Sequence, residues 1–165
     1  MSSLSTGPDT AGMGTSMTRE TSMNRGGASI VTLIVCLLVT FAAAAIGSAA
    51  TLPSIPTWYA GLTKPAFNPP NWLFGPVWTI LYAMMAVALW RVLGRSEGGE
   101  RRQAGAIYGV QLVLNAAWSV VFFGLHSPLG GLVVIVALAG AIIATIAAFG
   151  RIDRLAAGLL VPYLL

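Results

Sequence analysis

Residues 28–51 read ASIVTLIVCLLVTFAAAAIGSAAT, from Ala28 to Thr51, without one charged side chain. As a helix rising about 1.5 Å per residue this run is about 36 Å long, more than the roughly 30 Å hydrocarbon core of a bilayer. A helix apolar on every side has no face to offer water, so it belongs in a protein core or in lipid. The charge-free interval is wider still, from Arg25 to Lys64. We read it as the first membrane span.

The whole composition agrees. The chain has 165 residues, 56% of them hydrophobic and 8% charged, against about 25% charged in an average soluble domain; its mean hydropathy is +0.81. This excludes an ordinary soluble enzyme, a disordered regulator and a nucleic-acid binder. The net charge of +4 comes from basic residues at the ends of apolar runs, which is a topology signal. One cysteine, Cys36, and one histidine, His126, leave no intramolecular disulfide and no Cys or multi-His metal site, so no metal is expected.

Working outward, further apolar runs cover about 74–92, 103–125 and 129–149. His126-Ser127-Pro128 breaks the last two apart, because proline restricts the residue before it and removes a donor. A final run, 155–165, has 11 residues, about 16 Å as a helix. The fold class read from these runs is an all-α integral membrane protein, a five-transmembrane-helix bundle whose fifth helix is truncated. Residues 1–29 form a polar tail without hydrophobic period, expected to be disordered. Met13, Met17 and Met23 are alternative starts, and from Met23 the chain resembles a secretory signal, although its apolar stretch is longer than usual. The transmembrane domain is 30–165, with a Pro/Trp-rich loop at 52–73. Five spans put Arg19, Arg25, Arg91, Arg95, Arg101, Arg102, Arg151 and Arg154 on one side and Lys64 alone on the other. The positive-inside bias makes the N-terminal side cytoplasmic.

The loop is the unusual part. Six of nine prolines fall between Pro53 and Pro76, interleaved with Trp58, Tyr59, Phe67, Trp72 and Phe74. Such a segment is expected to be stiff and extended. It reads as a lid over a ligand or as an interfacial aromatic belt, to which Trp58 and Trp90 belong. On the second helix Phe74, Trp78 and Tyr82 recur every four residues and share a face. On the third, Tyr108, Gln111, Asn115, Trp118 and Phe122 form one stripe. An unpaired amide inside an apolar span is costly, so Gln111 and Asn115 face a partner helix or a cavity. No Asp, Glu, Lys or Arg lies inside a complete span, which leaves an ion pathway nothing to run on. A cavity of this kind suits a flat, largely apolar ligand. Gly105-x-x-x-Gly109 permits close helix approach and suggests a homodimer seam.

The run 58–82, WYAGLTKPAFNPPNWLFGPVWTILY, strongly resembles the signature of the TspO/MBR family, the tryptophan-rich sensory proteins related to the translocator protein or peripheral benzodiazepine receptor. Asn115-Ala-Ala-Trp118-Ser and Val161-Pro162-Tyr163-Leu-Leu165 resemble the family's later motifs, so the likeness covers everything from about residue 30. It implies a five-helix bundle, often dimeric, that binds tetrapyrroles such as protoporphyrin IX and, in some members, sterols and isoquinoline- or benzodiazepine-type drugs. By the same resemblance Tyr59, Trp78, Tyr82, Asn115 and Trp118 match pocket positions, and Trp58, Lys64 and Pro65 match the loop that caps the pocket. Phe67 stands where many members have Trp. The Trp that follows the Pro-Tyr motif in the family, and takes part in tetrapyrrole binding and light-dependent porphyrin breakdown there, falls one place past Leu165.

The leading expectation is therefore a multi-pass membrane protein that encloses a tetrapyrrole as ligand, with no cofactor of its own, and senses or transports it. Ligand rings would stack on Trp78, Trp118 and Tyr82, with Asn115 and Gln111 bonding inward and Lys64 near the propionates. One alternative is photo-oxidative degradation of the porphyrin, a light-dependent enzyme activity in which tryptophan serves as electron or radical donor and no acid-base machinery is required. The other is a structural membrane protein whose aromatics serve packing alone.

Overall fold

The computed structural model describes residues 29–62 and 71–165. The tail ahead of Ser29 and the loop residues 63–70, with Lys64, Pro65 and Phe67, lie outside the described residues. These fold as five helices: α1 (Ile30–Thr51), α2 (Asn71–Leu93), α3 (Gly98–Ser119), α4 (Pro128–Ile152) and α5 (Arg154–Leu164). A short π-helical turn, Val120–Gly124, continues α3. No strand occurs among the described residues. The first four helices are long and apolar enough to cross a membrane, and α5 is a shorter apolar helix.

Local chemistry explains the boundaries. The Ser29 hydroxyl accepts the Val31 N–H at 3.2 Å and starts α1. Ser127 does the same for Gly130 at 3.1 Å, with Pro128 in the first turn of α4, where its missing N–H costs nothing. Asp153 caps α5 through the N–H groups of Leu155 and Ala156. Helix α1 has the span expected of it. Helix α2 starts at Asn71, three residues before the expected 74, and takes Pro76 into its second turn. Helix α3 starts at Gly98 rather than 103: the apolar pattern marks what lies in lipid, and the helix runs on through Glu100, Arg101 and Arg102. The expectation of an extended loop is corrected for its described first half. Residues 52–58 turn, held by Tyr59 N–H to Ser54 C=O at 2.9 Å, and Tyr59–Gly61 form a 3-10 turn, closed by Leu62 N–H to Tyr59 C=O at 3.3 Å. Prolines 53 and 56 carry the φ that turns need as readily as the one extension needs.

The helices pack as a closed ring in the order α1, α2, α5, α4, α3. Its two ends differ. At the arginine end, Cys36, Met85, Val92, Tyr108, Phe149 and Leu160 are among the buried residues that fill the interior. Tyr108 stacks on Phe149 with ring centroids 6.1 Å apart, and its hydroxyl bonds Thr40 at 2.8 Å. Two arginines, Arg91 near the end of α2 and Arg95 in the turn after it, fasten this end to the α4–α5 corner: Arg91 Nε and Arg95 Nη1 reach the same Asp153 oxygen at 2.8 and 2.7 Å. The loop end is hollow. Around the outside, large aliphatic side chains such as Leu132, Val133, Val136 and Ile143 stand exposed. A soluble monomer could not tolerate that surface; a bilayer requires it.

Candidate functional site

At the loop end α1, α2 and α3 separate around a cavity of about 730 Å³, within the range of small-molecule sites. Its α2 wall is the predicted stripe Phe74, Trp78 and Tyr82, together with Trp72 and Thr79. Asn115 and Trp118 come from α3, and Tyr59 from the loop. Five of the six residues singled out for ligand contact, all except Gln111, therefore meet at one space. The sixth does not. Gln111 is completely buried and absent from the cavity wall, and neither its Oε1 nor its Nε2 has a hydrogen-bond partner. The reason is depth: Gln111 lies one turn nearer the arginine end than Asn115, about 6 Å along the α3 axis, where the interior is filled.

Asn115 forms the cavity floor. Its Oδ1 accepts the Tyr82 hydroxyl, and its Nδ2 donates to the Tyr163 hydroxyl on α5. One amide thus ties three helices together and keeps half its own bonding capacity for a ligand. Trp78 packs on Tyr82 at 5.9 Å and edge-on to Tyr163 at 6.0 Å. The aromatic wall is held from behind as well as displayed in front.

The π-helical turn changes the rest of the α3 stripe. An ideal helix puts Phe122 beside Trp118 and turns Phe123 away. The wider turn after Ser119 breaks that period, a device often found at functional sites. Phe122 stacks on Trp118 at 5.4 Å, while Phe123 faces the cavity and packs on Tyr59 at 5.6 Å. Sequence periodicity selected Phe122 and missed Phe123.

Of the lid residues within view, Trp72 lines the cavity although it is 73% exposed. Trp58 stands off it, packed on Phe122 at 5.3 Å and on the His126 ring at 4.9 Å. The buried Ser54 hydroxyl adds a bond to the Phe123 carbonyl at 2.8 Å. The first half of the loop is thereby anchored to the α3–α4 corner. Trp90, at the other end, donates to the Ser29 carbonyl at 3.3 Å. A β-carbon on Gly105 or Gly109 would meet nothing within 4 Å, so these two positions border open space.

The α1 wall went unread. Phe41, Ala44, Gly47, Ser48 and Thr51 line the cavity. The signal was there: the small residues Ala42-Ala-Ala-Ala45 and Gly47-Ser48 leave, on an otherwise bulky span, the room a ligand would take. No Lys, Arg, Asp, Glu or His lines the cavity among the described residues. The site can stack flat rings and exchange hydrogen bonds with neutral groups.

Comparison with known proteins agrees with this architecture. The TspO/MBR family profile matches residues 34–165. The tryptophan-rich protein TspO of Chlorobaculum tepidum is 46% identical over 136 residues, 82% of this chain and 86% of that protein. That of Archaeoglobus fulgidus is 43% identical over 136 residues, 82% and 88% of the two chains. The translocator protein of Homo sapiens is 42% identical over 110 residues, 65% of this chain and 64% of its own. With its helical membrane bundle, its aromatic cavity and these relatives, the chain belongs to the TspO/MBR family.

Proposed function

We propose that this membrane protein binds tetrapyrroles of the protoporphyrin type between α1, α2 and α3, and acts as a sensor or transporter for them. The observation that carries this reading is the cavity: about 730 Å³, walled by Trp72, Trp78, Trp118, Phe74 and Tyr82, with a single half-used amide at its floor. Stacking on flat faces supplies most of the affinity, and Asn115 fixes orientation. The same walls accept other flat hydrophobic molecules, sterol- or drug-like. The arginine end is cytoplasmic on the count of basic residues, which puts the cavity toward the opposite face. Open space over Gly105 and Gly109 supports a homodimer through α3, and a Gly105→Leu variant running as a monomer in detergent would support that seam.

The test is a protoporphyrin IX titration in detergent, read by quenching of tryptophan fluorescence, on the wild type beside Trp78→Leu and Asn115→Ala. Saturable quenching, weakened roughly tenfold or more by either change with helicity intact, supports the pocket. Quenching that never saturates, or that ignores both substitutions, refutes it. The cavity's indoles also suit porphyrin photo-oxidation, which predicts light-driven loss of the porphyrin spectrum with a distinct product.

A further inference from the structure

Serine and threonine inside helices ordinarily return their hydroxyl to the carbonyl four residues back. Four of the five helical threonines, Thr40, Thr51, Thr79 and Thr145, do so here, at 2.7 to 2.8 Å; Thr32, in the first turn of α1, does not. Thr51 and Thr79 line the cavity, yet their hydroxyls are committed to the backbone. Two other cavity residues behave differently. Ser48 on α1 and Ser119 on α3 both line it, and neither hydroxyl has a hydrogen-bond partner among the described residues.

The two serines lie at one level on facing helices. A β-carbon on Gly47 would stand 3.0 Å from Ser119 Oγ, so α1 and α3 are in close contact here, and Ser48 is the next residue along. Asn115 is one turn deeper, about 6 Å down the α3 axis. From floor to mouth the cavity thus presents a shared amide and then a pair of unengaged hydroxyls. Ser48 is exposed and Ser119 half-buried, so both hydroxyls stay open to a ligand, although the helix puts a carbonyl four residues back within reach, Ala44 for one and Asn115 for the other. We propose that Ser48 and Ser119 form a two-hydroxyl donor site for the carboxyl oxygens on the side arms of the bound macrocycle. A carboxyl group accepts two such donors. Among the described wall residues, which include no cationic side chain, these two hydroxyls are the donors placed to recognise it. The ring then lies between Trp78 and Trp118, and its acid arms point toward the mouth.

This assignment rests on the tetrapyrrole reading, and its test separates the two. Protoporphyrin IX, with carboxyl arms, and etioporphyrin, with the same ring and only alkyl arms, are titrated into the wild type, Ser48→Ala and Ser119→Ala in detergent. The expected result is a three- to tenfold rise in the protoporphyrin Kd for each variant, with the etioporphyrin Kd unchanged within twofold and thermal midpoints equal. Equal weakening for both porphyrins makes the serines mere spacers and overturns the assignment. So does no weakening for either, or wild-type protein that holds etioporphyrin as tightly as protoporphyrin, and in these cases the tetrapyrrole reading stands. If neither porphyrin binds the wild type, both fall.

Discussion

Asp153 carries more of this fold than any other charged residue described, and its removal can be worked through from the geometry. One carboxylate oxygen takes the Leu155 and Ala156 N–H groups at 2.9 and 3.4 Å. The other takes Arg91 at 2.8 Å and Arg95 at 2.7 Å. The Arg91 side chain is 24% exposed and the Arg95 side chain 49%. The helix cap is worth about 1 kcal/mol, the charge-assisted bond to Arg91 about 1.5–3 kcal/mol, and the half-solvated Arg95 pair less than about 1 kcal/mol. Asp153→Ala should therefore cost about 3 kcal/mol. Asn is itself a good cap, so Asp153→Asn should cost about 1–2 kcal/mol, and Arg95→Gln less than about 1 kcal/mol. The assay is reversible unfolding in mixed micelles, and the order Ala, Asn, then Arg95→Gln is the result to look for. Acid adds a second arm. Burial alone would raise the Asp153 pKa, but the Arg91 bond, the two backbone donors and the Arg91 charge outweigh it and hold the carboxyl below its usual range. A depressed carboxyl stabilises the fold above its unfolded value, about 3.9, and loses that contribution as pH falls through the folded one. The wild type should lose stability over that window, and Asp153→Asn should lose less. An Asn variant as costly as Ala, or an acid limb identical to that of the wild type, would refute the clasp.

Three other outcomes follow from particular contacts. Gln111→Met exchanges a buried amide without partners for a thioether of similar size. It should stabilise the protein by about 1–2 kcal/mol and leave porphyrin affinity alone, as unfolding and titration together would reveal. Gly131→Ala puts a β-carbon 2.6 Å from a Phe122 ring carbon and should cost about 1–3 kcal/mol; Gly75→Ala, with nothing within 4 Å, should be neutral or gain up to about 1 kcal/mol of helix propensity. Trp58→Ala frees the loop from Phe122 and His126 and should speed ligand release several-fold in stopped-flow fluorescence while leaving helicity unchanged.

The membrane class and the helix count were legible because lipid enforces an unmistakable rule: long uncharged runs separated by charge and proline. The α2 face was legible too, since Phe74, Trp78 and Tyr82 keep α-helical period. Three things were not. Gln111 and Asn115 share a stripe, but one turn of helix puts the first amide in the packed half and the second at the cavity floor, a depth that the stripe alone does not give. Phe123 came to the wall through a π-helical turn that no period of 3.6 anticipates. The α1 wall was missed because alanine, glycine and serine look like filler until a neighbouring helix shows what their smallness leaves open.

The division of the bundle into a filled end and a hollow end has an evolutionary consequence. Buried residues such as Met85, Tyr108, Phe149 and Leu160 and the Asp153 clasp sit at the filled end, and the cavity wall joins that core through Asn115, Tyr82, Trp78, Phe41 and Ala44, while Ser48, Thr79 and Ser119 stand outside it. Substitutions among Ser48, Thr79 and Ser119 can thus accumulate without spending the stability of the whole. One scaffold can drift from one flat ligand to another, and a designer could re-tailor the bowl while leaving the stem untouched.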